Sequence, residues 1–333
     1  MNTLLRAVFV SSALGLLAGC ERARRPDIDA DHPARLAAQL DADFRKIRTE
    51  VESLAIFITD LYMRQSEILP GTDRTNYAFS PNGAFYKPTD DGGAALWISA
   101  VVPITPEMQA VAYFTELADP ELKRICAQFP EVSQAYYNDR HSLNRIYPWF
   151  DTIAQYPPRI NLTEYNFYFL ADAQHNPERR GVWVAEPYVD PAGRGWLVSA
   201  IAPVYVNDVL EGVPGLDVTI ATIVERYFKA HDRPLAIISQ EGVLAAATES
   251  AIHVLEMPPL KGHEYLETVK LDLFKPDEYN IRKSTLRPVR AIASALLDEG
   301  RTELELLLLK KNYPIRAARV PELGWTVVEF FAQ

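Results

Sequence analysis

Positive charge is scarce in this sequence: 34 lysines and arginines stand against 44 aspartates and glutamates, a formal net charge of -10 at pH 7. No segment combines a basic stripe with interleaved aromatic residues, the pattern typical of nucleic-acid-binding proteins. Because an acidic chain repels phosphate backbones, we expect no nucleic-acid partner.

Motifs of catalytic chemistry are also absent. The six histidines show neither H-x-H nor i, i+4 spacing, so the sequence predicts no metal site. Neither G-x-S-x-G nor H-E-x-x-H occurs, which makes a hydrolase the weaker hypothesis. We therefore expect a protein that is not an enzyme and that needs no cofactor.

Long apolar runs are missing beyond residue 20. No later run approaches the ~20 residues that a helix needs to cross a bilayer, so we expect no membrane-spanning helix. A kinase or cyclase on the far side of a membrane would then have to be a separate protein. Any signal from this chain would pass to such a partner.

The first twenty residues are typical of an exported lipoprotein. A positive charge at Arg6 precedes a short apolar run over residues 7–17, and Leu17-Ala18-Gly19-Cys20 completes a lipobox. The run is roughly eleven residues, which favours cleavage and acylation of Cys20 over a transmembrane anchor. Residues 1–19 are then a signal peptide, and the chain is attached to the membrane through lipidated Cys20.

Cysteine is otherwise limited to Cys126, so acylation of Cys20 leaves no pair for an intramolecular disulfide. Glu21 follows the acylated position, and the enteric sorting habit of lipoproteins then favours the outer membrane over the inner. We expect the rest of the chain on the periplasmic side of the cell envelope.

Residues 20–32 are charged and lack periodicity, which predicts a short tether, and a long helix is predicted over residues 33–70. Its apolar residues recur at steps of three and four: Leu36, Leu40, Phe44, Ile47, Val51, Leu54, Ile58 and Leu61. At 1.5 Å per residue the helix would be roughly 55 Å long, enough to span two modules. A coiled-coil dimer stalk would show the same stripe and remains the alternative.

The rest of the chain alternates short strand-like runs with helical periodicity, which predicts an α+β fold. Strands are expected within 94–102, 134–137, 165–170, 181–184 and 195–204, and a helix over 105–129. A second series follows residue 219, with helices over 220–230 and 284–297, a hairpin over 235–247 and two final strands. The pairs Gly195-Trp196 and Gly324-Trp325 open strands at matching places. We interpret residues 71–219 and 220–333 as two related modules.

Three segments resemble the extracytoplasmic double Cache sensor domains: NRIYPWFD (144–151), VWVAEPYVDPAGRGWLVSAIAPVY (182–205) and LEGVPGLDVTI (210–220). The resemblance covers residues 134–220 well and the second module only by its layout. It implies a long N-terminal helix that carries two PAS-like modules with antiparallel sheets. The membrane-distal module, 71–219, would bind a small molecule, commonly an amino acid or an amine, and 220–333 would be membrane-proximal.

The residue types needed for such a ligand occur in these segments. A small ammonium compound calls for a carboxylate, aromatic faces and apolar walls, which the candidate residues Tyr147, Trp149, Tyr188, Asp190 and Asp217 provide.

The amino-acid-binding branch of the family has the pattern R-x-W-Y, in which the arginine holds the ligand carboxylate. Here Tyr147 and Phe150 take the positions of that arginine and of the final aromatic. Arg145 lies two residues early, so it shares a strand face with Tyr147 and could replace part of the arginine's role. The departure makes a cationic amine a serious competitor to an amino acid.

Structural roles are open at several of these positions. Asp190 could have a purely structural role, in which its side chain bonds the backbone of the turn that follows it. Asp217 could cap the helix that begins near Thr219. Trp149 could belong to the core.

The favoured function is a lipid-anchored sensor that binds its ligand in the distal module and signals through a membrane protein, such as a kinase, a cyclase or a chemoreceptor. A periplasmic substrate-binding protein for a transporter is the alternative, although its usual alternation of strand and helix is not evident.

Overall fold

The computed structural model describes residues 31–229, 233–258, 276–308 and 310–331. The expected signal peptide, Cys20 and nearly all of the tether lie outside the described residues. From Asp31 onward the chain forms one compact unit. In this described part, no helix combines the length and the apolar character needed to span a bilayer.

A single long helix, α1 (His32–Met63), begins with Pro33 in its first turn, where a missing backbone N–H costs nothing. The stripe from Leu36 to Leu61 is buried throughout. It packs against strands of two different sheets of the same chain. The stripe is therefore covered within one molecule, as expected for a helix that spans both modules.

The first sheet is antiparallel and lies between α1 and a layer of short helices. Its strand order is β1-β2-β3-β5-β4-β9-β7-β6, with β8 paired to β9. The strands are β1 (Ala78–Phe79), β2 (Phe85–Tyr86), β3 (Ala95–Ile98), β4 (Gln134–Asp139), β5 (Leu143–Tyr147), β6 (Val182–Val189), β7 (Trp196–Ile201), β8 (Val204–Val206) and β9 (Val209–Thr219).

Helices cover both faces of this sheet. One face packs against α1, α3 and α4, and the opposite face carries α5 and α6, beside the candidate site. The helices of this part are α2 (Gln65–Ile68), α3 (Pro106–Phe114), α4 (Asp119–Gln128), α5 (Thr152–Gln155) and α6 (Asn166–Phe169).

The second sheet is also antiparallel, with the order β11-β10-β14-β13-β12. Its described elements are α7 (Ile220–Tyr227), β10 (Leu235–Ile238), β11 (Leu244–Ala247), α8 (Glu249–Leu255), α9 (Arg287–Leu297), β12 (Glu303–Leu308), β13 (Lys311–Val320) and β14 (Trp325–Phe330). The α+β class, the antiparallel sheets and the long N-terminal helix are thus confirmed. β9 ends at Thr219 and α7 begins at Ile220, and the division into two modules at this point stays a prediction.

Three expectations about local structure need correction. The long helix ends at Met63 rather than at residue 70, because the backbone leaves the helical region at Arg64 and a separate helix, α2, follows. The expected helix over 105–129 is broken by a 3₁₀ turn at Thr115–Ala118. The expected strand over 165–170 is the short helix α6, whose turn is closed by Tyr165 accepting from the backbone of Tyr168 and Phe169.

Phe44 is the point at which α1 meets both sheets. Its fully buried ring lies 5.0 Å from the ring of Trp183 on β6 and 6.1 Å from that of Trp325 on β14. Aromatic contacts of this kind add to the free energy gained by burying the rings. Phe44 therefore stabilises the packing of both sheets at once.

We expect Phe44→Ala to lower the free energy of unfolding by about 3–5 kcal/mol, because a large cavity forms where three aromatic rings meet. Ile56→Ala is the matched control on the same helix, since Ile56 is 72% exposed and should cost no more than about 0.5 kcal/mol. Guanidinium denaturation of both variants measures the difference. Equal losses in the two variants would show that Phe44 does not hold this junction.

Candidate ligand-binding site

A small cavity opens on the face of the first sheet that is turned away from α1. It is lined by alternate side chains of β4 and β5, by Tyr188 and Asp217 from neighbouring strands, and by the turn that follows β6. Its volume is about 20 Å³, room for about one water molecule. The polar lining consists of Gln134, Tyr136, Asn138, Asn144, Tyr156, Tyr188, Asp190 and Asp217.

Two carboxylates meet at one end of the cavity. The Nε2 atom of Gln134 donates to Asp190 Oδ2 at 3.0 Å and to Asp217 Oδ2 at 2.5 Å. Ser199 Oγ donates to the other oxygen of Asp217 and lies 2.5 Å from the Tyr188 hydroxyl. Because β4 and β7 flank β9, Gln134 and Ser199 both lie directly opposite Asp217.

Asp190 also shapes the turn after β6. One carboxylate oxygen accepts from the backbone N–H of Ala192 at 2.8 Å, and the other accepts from that of Arg194 at 3.1 Å. The turn role considered for Asp190 is therefore present. The same side chain reaches the cavity, so the two roles are combined in one residue.

Burial dominates the electrostatics of this end. It raises the pKa of Asp217 well above its usual range, and the charge of Asp190 raises it further. Burial also raises the pKa of Asp190, against the effect of its hydrogen bonds. The cavity is lined by no lysine, arginine or histidine among the described residues. The site is therefore a buried acidic pair without a side-chain cation in its lining.

Neutral amides occupy the opposite end. Asn144 Nδ2 donates to Asn138 Oδ1 at 2.7 Å, and the Tyr156 hydroxyl donates to Asn144 Oδ1 at 3.1 Å. Ile146, Leu162 and Phe167 supply apolar wall between the two ends. The cavity thus joins an acidic end to an uncharged polar end.

Arg145 does not face this cavity, which corrects the expectation for that residue. Its side chain is fully buried on the α1 side of the sheet, where it donates to Asp119 Oδ1 at 2.5 Å and to Thr115 Oγ1 at 3.2 Å. Arg145 and Tyr147 do share a strand face, as expected. That face is the helix side, while Asn144 and Ile146 face the cavity.

The two remaining aromatic candidates lie outside the lining. Tyr147 packs against the core that contains α1. Trp149 packs against the cluster of Ala95, Tyr136 and Ile146, and the last two of these line the cavity. Of the candidate residues, the structure brings Tyr188, Asp190 and Asp217 together.

The capping role considered for Asp217 belongs to another residue. The side chain of Thr219 accepts from the backbone N–H of Thr222 at the start of α7. Asp217 lies inside β9, and its side chain is bonded to Gln134 and Ser199 instead.

The sequence reasoning missed Gln134, Asn138 and Asn144. The alternating pattern of β4 could have shown that residues 134, 136 and 138 share one face. No sequence pattern indicated that this face is opposite Asp217, because that depends on pairing between strands far apart in the sequence.

Comparison with known proteins supports the fold. No family model and no curated protein matches the sequence. The extracellular domain of mmHK1S-Z2, described as a histidine kinase, is similar in structure, with a TM-score of 0.52 and 11% identity over 91% of this chain and 95% of that one. The ligand-binding domain of the Pseudomonas aeruginosa PAO1 amino acid chemoreceptor PctB, in complex with L-Arg, gives 0.52 and 12% over 91% and 93%. The chain therefore shares its fold with these two extracytoplasmic domains.

Proposed function

We propose that this chain is an extracytoplasmic sensor that binds a small organic cation between Asp190 and Asp217. One observation carries the proposal: two buried carboxylates face one cavity, and the described residues that line it offer them no side-chain cation. Burial of unpaired anionic groups costs several kcal/mol, so a site of this kind favours a cationic ligand.

A buried acceptor supports the same ligand chemistry. In the described part of the chain, the Oε1 atom of Gln134 is buried and has no hydrogen-bond partner. A ligand ammonium group provides three N–H donors, enough for Gln134 Oε1 and for one oxygen of each carboxylate. The apolar and aromatic wall formed by Ile146, Phe167 and Tyr188 suits the carbon part of such a ligand.

The charges of the cavity lining suit an amine better than an amino acid. Arg145, the one candidate for holding a ligand carboxylate, is bonded to Asp119 on the opposite side of the sheet. A ligand carboxylate would therefore meet only neutral groups, such as Asn138 and Asn144. The similarity to the domain bound to L-Arg keeps amino acids as the second ligand class to be tested.

Binding of any organic ligand would have to widen the site. The volume of about 20 Å³ suits a single water molecule, far less than a ligand pocket usually holds. The wall includes the turn at Pro191 and Ala192 and the residue Phe167 of α6. Movement of this wall is the conformational change that we assign to ligand binding.

The second sheet contacts the same strand that carries the site. Trp325 Nε1 donates to the backbone oxygen of Ala185, and the backbone N–H of Glu241 donates to the Glu186 carboxylate. Both contacts fall where the pairing of β6 with β7 changes register, between Val184 and Tyr188. We propose that movement at Tyr188 and Asp190 reaches the membrane-proximal module, residues 220–333, by this route.

The remaining parts of the proposal follow from the sequence. Lipidated Cys20 would hold the chain on the periplasmic side of a membrane, with the outer membrane favoured. A membrane kinase, cyclase or chemoreceptor would receive the signal. Delivery of the ligand to a transporter is the alternative, and we assign no catalytic residue.

Labelled palmitate should be incorporated into the full-length chain in a bacterial host and lost in Cys20→Ser, because only a thiol at the lipobox accepts the lipid. Cys126→Ser is the matched control and should keep full labelling. Equal labelling of the parent and Cys20→Ser, read by gel fluorography, would rule out lipid attachment at Cys20.

Asp217→Asn should weaken binding of a cationic ligand by about 2 kcal/mol, roughly 30-fold in Kd, because a charge-assisted contact is lost while the shape is kept. The ligand comes from a thermal-shift screen of amino acids, amines and small carboxylates, and calorimetry then gives Kd. Ligand-free stability should not fall, since an amide resembles the protonated acid.

Asp139→Asn is the matched control for this variant. Asp139 is equally buried in the same sheet, but its carboxylate accepts backbone N–H groups of His141 and Leu143 in the β4–β5 turn. The Asp139→Asn variant should leave Kd within about twofold of the parent, a much smaller change than the tenfold change that about 1.4 kcal/mol represents. Unchanged binding in Asp217→Asn, or equal weakening in both variants, would place the ligand elsewhere.

A further inference from the structure

The amide nitrogen of Gln134 occupies the space between the two carboxylates. It lies 3.0 Å from Asp190 Oδ2 and 2.5 Å from Asp217 Oδ2, so the sum of these distances, 5.5 Å, is the largest possible separation of the two oxygens. Asp190 is 5% and Asp217 2% exposed. Two full negative charges this close and this poorly hydrated repel strongly.

The titratable groups around the pair do not offset this repulsion. Tyr136 on β4, Tyr156 after α5 and Tyr188 on β6 are phenols whose pKa values are raised well above 10 by burial, so they stay neutral. Burial raises the pKa of the Cys126 thiol on α4 to about 12, so it is neutral too.

Among the described residues, the cation Arg194 lies in the turn after β6 and acts on Asp190. It lowers the pKa of Asp190, although its side chain is exposed and outside the cavity lining. Water screens a charge in that position. A single screened cation balances at most one of the two carboxylates.

We propose that the ligand-free pair of Asp190 and Asp217 shares one proton, and that a cationic ligand binds by releasing it. This inference rests on the proposed function for its second half only. The exchange is balanced: one O–H bond of the carboxylic acid breaks, the proton passes to solvent, and the ligand ammonium takes its place as the positive partner. The site would then respond to pH as well as to its ligand.

The direction of the pH effects follows from linkage. The carboxyl pKa is raised in the folded chain, so the stability that the shared proton provides is complete below the unfolded value of about 3.9. It is lost as pH rises toward the folded value. Ligand affinity changes in the opposite direction, because a proton that has already left need not be displaced. One exchanged proton gives at most a tenfold gain in affinity per pH unit.

The shared proton of the ligand-free pair is tested on the full chain in mild detergent. The urea midpoint of the parent should fall between pH 5 and pH 8, and this fall should be smaller in Asp217→Asn, which cannot lose the proton. The C=O absorption of a protonated carboxylic acid in the infrared spectrum at pH 6 should weaken in the same variant. Asp139→Asn is the control, since its own acid has a pKa raised to about 6 and its removal should leave the remaining absorption of the pair intact.

Identical pH profiles and identical carbonyl absorption in the parent and Asp217→Asn would overturn the shared proton. This outcome does not depend on any ligand.

The exchange of the shared proton for a cation is tested with methylammonium chloride as the probe. Methylammonium is a small organic cation that stays protonated over the pH range tested. Its Kd should be at least tenfold lower at pH 7.5 than at pH 5.5, with protons released in calorimetry. Binding with the same Kd at both pH values would overturn the exchange. A shared proton with no binding of methylammonium or of any other cation would support the ligand-free half and contradict the proposed function.

Discussion

The alternation of side chains along β4 and β5 separates the buried charges of this chain. Residues 143, 145 and 147 point toward the long helix, where Arg145 pairs with Asp119. Residues 144 and 146 point toward the cavity, where Asp190 and Asp217 meet without a lysine, arginine or histidine in the described lining. The helix side therefore holds a buried ion pair between Arg145 and Asp119, and the cavity side retains excess negative charge. A sheet whose register slipped by one residue would exchange these two environments.

The excess negative charge on the cavity side links the stability of the folded chain to the proposed ligand binding. A buried acidic pair destabilises the closed site at neutral pH, and the contacts of Gln134, Ser199 and the turn N–H groups offset only part of that cost. A cation of suitable size would balance one of the two negative charges and would have to widen the small cavity. Trp325 and Glu241 bind β6 where its pairing with β7 shifts, so the second sheet is in direct contact with the strand expected to move.

The sequence was sufficient for the features that depend on local periodicity. The stripe from Leu36 to Leu61 predicted α1, and resemblance to a known family pointed to Tyr188, Asp190 and Asp217, which do meet. Features that depend on tertiary pairing were not predictable in the same way. The side of the sheet that Arg145 faces, and the position of Gln134 opposite Asp217, follow from strand order and register. The prediction of a strand over 165–170 was wrong, because these residues form the short helix α6 and bury their apolar side chains in a single helical turn.

A crystal structure of the chain with the tightest-binding ligand from the screen would show directly whether Asp190 and Asp217 hold that ligand. We expect the ligand nitrogen to lie within hydrogen-bonding distance, about 3 Å, of carboxylate oxygens of both Asp190 and Asp217. Gln134 Nε2 should then be displaced from at least one of these carboxylates. Ligand density in another part of the chain, with the hydrogen bonds of Gln134 to both carboxylates unchanged, would show that Asp190 and Asp217 are not the ligand site.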